Sequence, residues 1–227
     1  MNRDGTTIFQ NSEYLILTKK ATELSQGFSD QDRGLHEIVL KNTGGKSHLL
    51  TRLDRPVSGL MLFSLTARFT KHYLDLQEKG LISKKYVAIV EGQLTQVLGE
   101  NIALSHYHVH DKKNLKARLS HDASPKSTSV TLSYKVLEIL DRYSILEISL
   151  PKGKFHQIRA QLAFDGFPIK GDVKYGARRG NRDRSIHLHS HSIHFRDREG
   201  NEQHYVSPIP EEDTLWRLAQ THLAKNK

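Results

Sequence analysis

The apolar side chains of this chain come in short runs cut by turn-forming residues, and those runs read as strands more often than as helices. Gly59-Leu-Met-Leu-Phe63 is among the longest, far short of the roughly 20 residues a membrane-spanning helix needs. Ile8-Phe9 and Tyr14-Leu-Ile-Leu17 read as a strand pair split at Asn11-Ser12-Glu13, a turn-forming cluster. Leu60–Leu65, Lys85–Val90, Ser129–Ile139, Ser144–Leu150 and Ile186–Phe195 read as further strands, with Asp141-Arg142 turning between the third and fourth. Helical spacing is confined to four segments. Asp32–Lys41 sets Leu35, Ile38 and Val39 on one side, and Thr66 is placed to cap a helix running to Lys79, with Gly80 as its stop. Phe155–Phe164 carries Ile158 and Leu162 four apart, and Glu211–Ala224 turns Leu215, Leu218 and Leu223 inward. Strands outnumber helices and do not alternate with them, which predicts an α+β fold with a mostly antiparallel sheet and flanking helices. No repeat, low-complexity tract or flexible linker divides the 227 residues, so a single domain over 1–227 is expected.

The absence of cysteine excludes disulfides, thiolate zinc sites, iron–sulfur clusters and cysteine nucleophiles together. Thirty-four Lys and Arg against 25 Asp and Glu leave a net charge of +9, which favours a polyanionic partner, nucleic acid first. Met-Asn-Arg-Asp-Gly-Thr-Thr at the start carries no hydrophobic signal core, so a cytoplasmic protein without a membrane role is expected. Gly45-Lys46-Ser47 looks like the end of a phosphate-binding loop, but Leu40 stands where that motif needs its first glycine. His106-x-His108-x-His110 and His187-x-His189-x-His191 each put three imidazoles on one strand face. No acid sits at ligand spacing within either run, so they read as surface imidazoles that gain charge below about pH 6.5, and no metal is expected.

Three segments concentrate chemistry. Arg52-Leu-Asp-Arg-Pro-Val-Ser-Gly-Leu60 sets Asp54 between Arg52 and Arg55 on a turn beside an apolar strand, where a carboxylate can be shielded yet stay ionised. Lys84-Lys-Tyr-Val-Ala-Ile-Val-Glu-Gly92 places Tyr86 at the entry of a strand. Lys152-Gly-Lys-Phe-His-Gln-Ile-Arg-Ala-Gln161 runs from basic residues into a short helix bearing Ile158 and Arg159. Taken singly, these are a turn with an ion pair, a core tyrosine and a capped helix.

In this order and spacing the three resemble the RluA family of RNA pseudouridine synthases. Arg-Leu-Asp-Arg-x-x-Ser-Gly-Leu at 52–60 is similar to the family's catalytic-aspartate motif, and Lys-x-Tyr-x-Ala-x-Val-x-Gly at 84–92 to its tyrosine motif. His-Gln-Ile-Arg-x-x-Leu at 156–162, followed by Gly166-Phe-Pro-Ile-x-Gly-Asp-x-x-Tyr-Gly176, resembles its third motif and the sequel. Thr51 stands where the family often has His, and Lys20 replaces a frequent Pro.

The resemblance implies the pseudouridine synthase catalytic fold, without a separate N-terminal RNA-binding domain. It also implies a cofactor-free isomerisation of uridine to pseudouridine in structured tRNA or rRNA. Asp54 would be the catalytic carboxylate, acting as nucleophile at C1′ or as base at C2′. Tyr86 would stack on the base and assist loss of the C5 proton, Arg159 would pair with Asp54, and Ile158 would pack on the tyrosine ring. Arg52 would enter the helical stack vacated by a flipped nucleotide. Arg55 is expected to bind substrate beside Asp54, and phosphate contacts are expected from Lys84, Lys85, Lys152 and Lys154, from the 112–118 segment, and from the arginine loop at 176–184 with Arg178 and Arg179. A monomer with no obligate protein partner is expected; the rival reading is a non-catalytic RNA-binding protein on the same fold.

Overall fold

A computed structural model describes residues 6–27, 32–95, 98–211 and 213–225. In chain order the first half holds β1 (Thr6–Gln10), β2 (Tyr14–Lys19), α1 (Leu35–Asn42), β3 (His48–Leu49), β4 (Ser58–Ser64), α2 (Ala67–Glu78), β5 (Ser83–Glu91), β6 (Asn101–Asp111) and β7 (Lys116–Ser120). The second holds β8 (Thr128–Ile139), β9 (Tyr143–Ser149), α3 (Gln157–Phe164), a single 3-10 turn at Val173–Tyr175, β10 (Leu188–Arg196), β11 (Glu202–Val206) and α4 (Thr214–Lys225). The chain forms two compact units, one of residues up to Lys84 together with His189–Pro208, the other of Lys85–Leu188 with the segment from Ile209 onward.

In the first unit the antiparallel strands β1, β2 and β4 continue into β10, which runs parallel to β4, and β11 closes the edge. Period-two alternation sorts the apolar runs onto both faces. Tyr14, Ile16, Leu60 and Leu62 meet Phe69, Tyr73 and Leu76 of α2, whereas Leu15, Leu17, Met61 and Phe63 meet Leu35 and Val39 of α1. A sheet covered on both faces needs continuous apolar strands, and Tyr14–Leu17 and Leu60–Phe63 are continuous for that reason. Helix α2 starts as its sequence predicts: Thr66 Oγ1 accepts the Phe69 amide at 3.1 Å. After α1 the chain turns through Gly44 and Gly45, both at positive φ, so the Gly-Lys-Ser tripeptide is a glycine turn at a helix end.

The second unit is an antiparallel sheet in the order β5-β9-β8-β6-β7. Helix α4 covers it through Trp216, Ala219 and Leu223, which pack with Val87, Ile89 and Ile145. Leu215 and Leu218, expected to face inward with Leu223, are partly buried against the same cluster. The helix begins at Thr214 because the Asp213 carboxylate caps the Trp216 amide at 3.0 Å. The parallel β4–β10 pair makes the strand pairing mixed, and no helix among the described residues is long and apolar enough to cross a membrane.

Candidate active site

Asp54 is half-buried on the turn that leads into β4, and the backbone on both sides of it is fastened. Ser25 Oγ donates to the Leu53 carbonyl at 2.7 Å and accepts the Leu53 amide at 3.0 Å. The Arg55 carbonyl accepts the Thr22 amide at 2.7 Å, and the Arg55 side chain donates to the Thr22 carbonyl at 3.1 Å. The Arg55 carbonyl also accepts from Lys19 Nζ at 3.2 Å, an ammonium that donates further to the carbonyls of Lys20 and Glu23. Lys19 is fully buried. Burial pushes its pKa down to about 8, against the pull of the neighbouring Glu23 and Asp54 carboxylates. Sequence reasoning missed this residue, though a lysine closing the run Tyr14-Leu-Ile-Leu-Thr18 is a readable anomaly. Arg52 and Arg55 are exposed on the same turn.

The Ser-Gly-Leu that ends this motif is explained by packing. Ser58 Oγ lies 2.8 Å from His189 Nδ1. Gly59 has φ +115°, and a Cβ there would stand 2.2 Å from the Ser190 carbonyl oxygen. Only glycine lets β4 approach β10 this closely.

In the second unit Tyr86 sits half-buried on β5, opposite Ile148 of β9. Lys85 Nζ meets Glu147 at 2.8 Å across the same strand pair. Lys84, expected to reach phosphate, is instead 9 % exposed, and burial lowers its pKa to about 8. The strand's alternation turns Lys84 inward, so we remove it from the RNA contacts. Lys152 and Lys154 are exposed on the connection from β9 to α3.

Helix α3 is buried from Gln157 through Leu162, Ile158 and Arg159 included. Arg159 grips Asp172 with two nitrogens, Nε to Oδ2 at 2.7 Å and Nη2 to Oδ1 at 2.9 Å. Its guanidinium carbon lies 5.1 Å from the centre of the Tyr175 ring. The Tyr175 hydroxyl accepts the Ala117 amide at 2.7 Å and lies 2.9 Å from His156 Nδ1. Gly171 and Gly176 both take positive φ. Asp172 and Tyr175 of the Gly-Asp-x-x-Tyr-Gly stretch thus both meet Arg159.

The histidine strands are a correction. His106 and His108 are buried, as are His187 and His189, so these four are not surface imidazoles. His106 contacts Gln161 of α3 through Nδ1 at 3.1 Å and Asp165 through Nε2 at 3.1 Å, while His108 Nε2 meets the Phe155 carbonyl at 2.9 Å. His110 stacks on Phe155 with ring centres 4.1 Å apart. Strand β6 is therefore the rail on which α3 docks. Among the described residues no three His, Asp or Glu gather as a metal site.

Of the three residues expected to do chemistry, Asp54 stands in the first unit, and Tyr86 and Arg159 in the second. A family model described as RNA pseudouridylate synthase matches residues 13–164. The chain is similar to tRNA pseudouridine synthase C of Salmonella typhi, 29 % identical over 172 residues, covering 69 % of this chain and 64 % of that one. It is similar also to ribosomal large subunit pseudouridine synthase D of Borreliella burgdorferi, 23 % identical over 215 residues, covering 89 % and 64 %. Other curated relatives are about twice its matched length, so the chain spans about half of them. Its fold is that of human RNA Pseudouridylate Synthase Domain Containing 1, with TM-score 0.73, 16 % identity and coverage of 98 % and 96 %. The aspartate, tyrosine and Arg159 motifs lie inside the matched span, and the chain belongs to the RNA pseudouridylate synthase family.

Proposed function

We propose that this chain isomerises uridine to pseudouridine in structured RNA, without a cofactor, as a cytoplasmic monomer with one catalytic domain. The N1–C1′ bond breaks, the freed base turns over, C5 joins C1′, the C5 proton leaves and N1 takes one up; no electron is gained or lost. Asp54 supplies the carboxylate, either attacking C1′ or drawing the proton from C2′. Arg159, already locked by Asp172, pairs with Asp54 and favours its ionised form in a site closed to water. Tyr86 stacks on the uracil and assists departure of the C5 proton, with Ile158 against its ring. Arg52 fills the stack left by the flipped nucleotide. Arg55, Lys85, Lys152, Lys154, Arg178 and Arg179 hold phosphates. The substrate is a tRNA or an rRNA.

The observation that carries this reading is the fastening of Asp54, whose two chain neighbours are held by Ser25, Thr22 and Lys19. A carboxylate that serves only to balance two arginines has no need of so fixed a backbone, whereas one that must meet a single carbon does. The test is Asp54→Asn, purified folded and assayed for tritium release from C5-labelled uridine in tRNA and rRNA transcripts. Loss of turnover with RNA binding retained is expected. Turnover near the wild-type rate overturns the proposal.

A further inference from the structure

A groove of about 690 Å³ opens in the second unit, between the end of β5, the Asp141-Arg142 turn and the arginine loop. It involves neither Tyr86 nor Arg159. Three arginines line it, Arg142, Arg178 and Arg179. Among the described residues none of their guanidiniums has a hydrogen-bond or ion-pair partner, and all three residues are exposed. Unpaired guanidiniums gathered around a concavity form a focused positive field, and their planar forks suit phosphate oxygens. The acids in the wall do not cancel it. Glu91 lies against the Arg178 amide, at 3.2 and 3.1 Å, and with Asp141 sets two carboxylates against three guanidiniums and the Lys170 ammonium, so a positive excess remains.

The walls are preformed. Gly92, at φ +98°, donates its amide to the Arg142 carbonyl at 2.9 Å and so fixes one rim. The other rim hangs on Asn181. Its Oδ1 accepts from Lys170 Nζ at 3.0 Å, and its Nδ2 donates to the Ser185 carbonyl at 3.0 Å and lies 3.1 Å from His187 Nδ1. His187 is buried, stacked on Trp216 at 5.0 Å, and its Nε2 meets Asp213 at 2.8 Å. One tautomer serves the whole chain, with Nε2–H donating to Asp213 and Nδ1 accepting from Asn181. A loop bearing four arginines is thus tied into the core through the Asn181 amide as well as through the Arg178 backbone. Tyr143, half-buried against the core cluster that α4 completes, adds an aromatic wall.

We propose that this groove takes an unpaired nucleotide of the RNA substrate, outside the reacting uridine: its phosphates on Arg142, Arg178 and Arg179, its base on the Tyr143 ring. This rests on the isomerase reading above and adds a second foothold to it. The volume falls within the roughly 300–1,000 Å³ of small-ligand sites, room for one nucleotide and none for a duplex. Aromatic stacking with guanidinium–phosphate contact is the chemistry by which single-stranded RNA is held.

The experiment uses an unmodified tRNA or rRNA transcript that the wild-type chain converts, with uridine monophosphate as a competing probe. The double variant Arg142→Gln/Arg179→Gln is expected to raise Kd and KM at least tenfold at 0.15 M salt. The slope of log Kd against log salt should become shallower by about 1 to 2. Tyr143→Leu should raise Kd severalfold and leave the salt slope in place. Asn181→Ala, which removes no charge, should weaken binding through the loosened loop, with thermal unfolding reporting that the fold survives. Unchanged Kd and salt slope in the double variant, with wild-type conversion intact, overturn the groove and leave the isomerase reading standing. Uridine monophosphate bound in the groove without any effect of the variants on RNA affinity assigns it to a free nucleotide and overturns the proposal too. A wild-type chain that binds and converts no RNA overturns both readings.

Discussion

Arg159 and Asp172 form a buried two-pronged ion pair at 2.7 and 2.9 Å, 13 residues apart in the chain and almost wholly out of water. Removing one partner of a buried ion pair costs about 3–5 kcal/mol. Asp172→Asn is therefore expected to lower stability by about that much in urea unfolding, and to cut turnover by letting the guanidinium swing. Replacing both residues, as Arg159→Met/Asp172→Leu, should recover much of the stability and none of the turnover. A stable, active Asp172→Asn protein contradicts the assigned role.

Lys19 gives a prediction in alkali. Its folded pKa of about 8 lies below the ordinary 10.5, so between these values the unfolded chain holds more protons than the fold. Stability contributed by this group then rises with pH across that window, as the cost of burying a charge is relieved. Lys84 acts in the same direction. Turnover should move the other way, because a neutral amine has two N–H groups for three carbonyls and the hold on Arg55 loosens. Lys19→Met should remove part of the stability gain between pH 7.5 and 9.5, and lower kcat far more than it raises KM.

His189 gives the acid counterpart. Burial, then the neighbouring His191, push its pKa down to about 3. Between that value and 6.5 the unfolded chain binds the proton and the fold does not, so stability falls as pH drops through this range. Urea midpoints measured from pH 7 to 4 should decline less steeply in His189→Gln than in the wild type. A parallel decline would mean that other groups govern acid unfolding.

Gly59→Ala tests the strand contact. The new methyl meets the Ser190 backbone at 2.2 Å in a conformation that L residues rarely adopt. A loss of about 3 kcal/mol or more is expected from strain and overpacking together. Gly44→Ala, where nothing lies within 4 Å of the added Cβ, bears the strain alone and should cost less.

Periodicity carried most of the fold. Tyr14–Leu17, Leu60–Leu65 and the Thr66-capped helix stand within a few residues of where alternation and capping put them, because those signals are local. The same locality hid the rest. Alternation placed His106, His108 and His110 on one face of a strand, but which face is set by α3, some 50 residues on, and that contact buries two of the three. Trp216 was passed over for the leucines beside it, since a helix's buried stripe is chosen by the sheet it meets. The motifs around Asp54 and Arg159 carried the resemblance to the family whose model matches residues 13–164. Lys19 and Ser25, which hold the backbone beside Asp54, lie in other segments, and no spacing rule joins them to that turn, whereas Asp172 stands in the stretch that follows the Arg159 motif.

The parallel pairing of β4 with β10 also orders events in time. Ser58 and Gly59 wait for His189 and Ser190, about 130 residues downstream. At ribosomal speeds of roughly 5–20 residues per second, that is on the order of ten seconds of synthesis. Until then the strand behind the Asp54 turn has an open edge, and the unit begun first at the N-terminus is completed only after nearly all of the second has been translated. Release of the nascent chain after Arg159 and before His189 would thus yield a polypeptide that carries Asp54, Tyr86 and Arg159 and lacks the strand that braces the first of them.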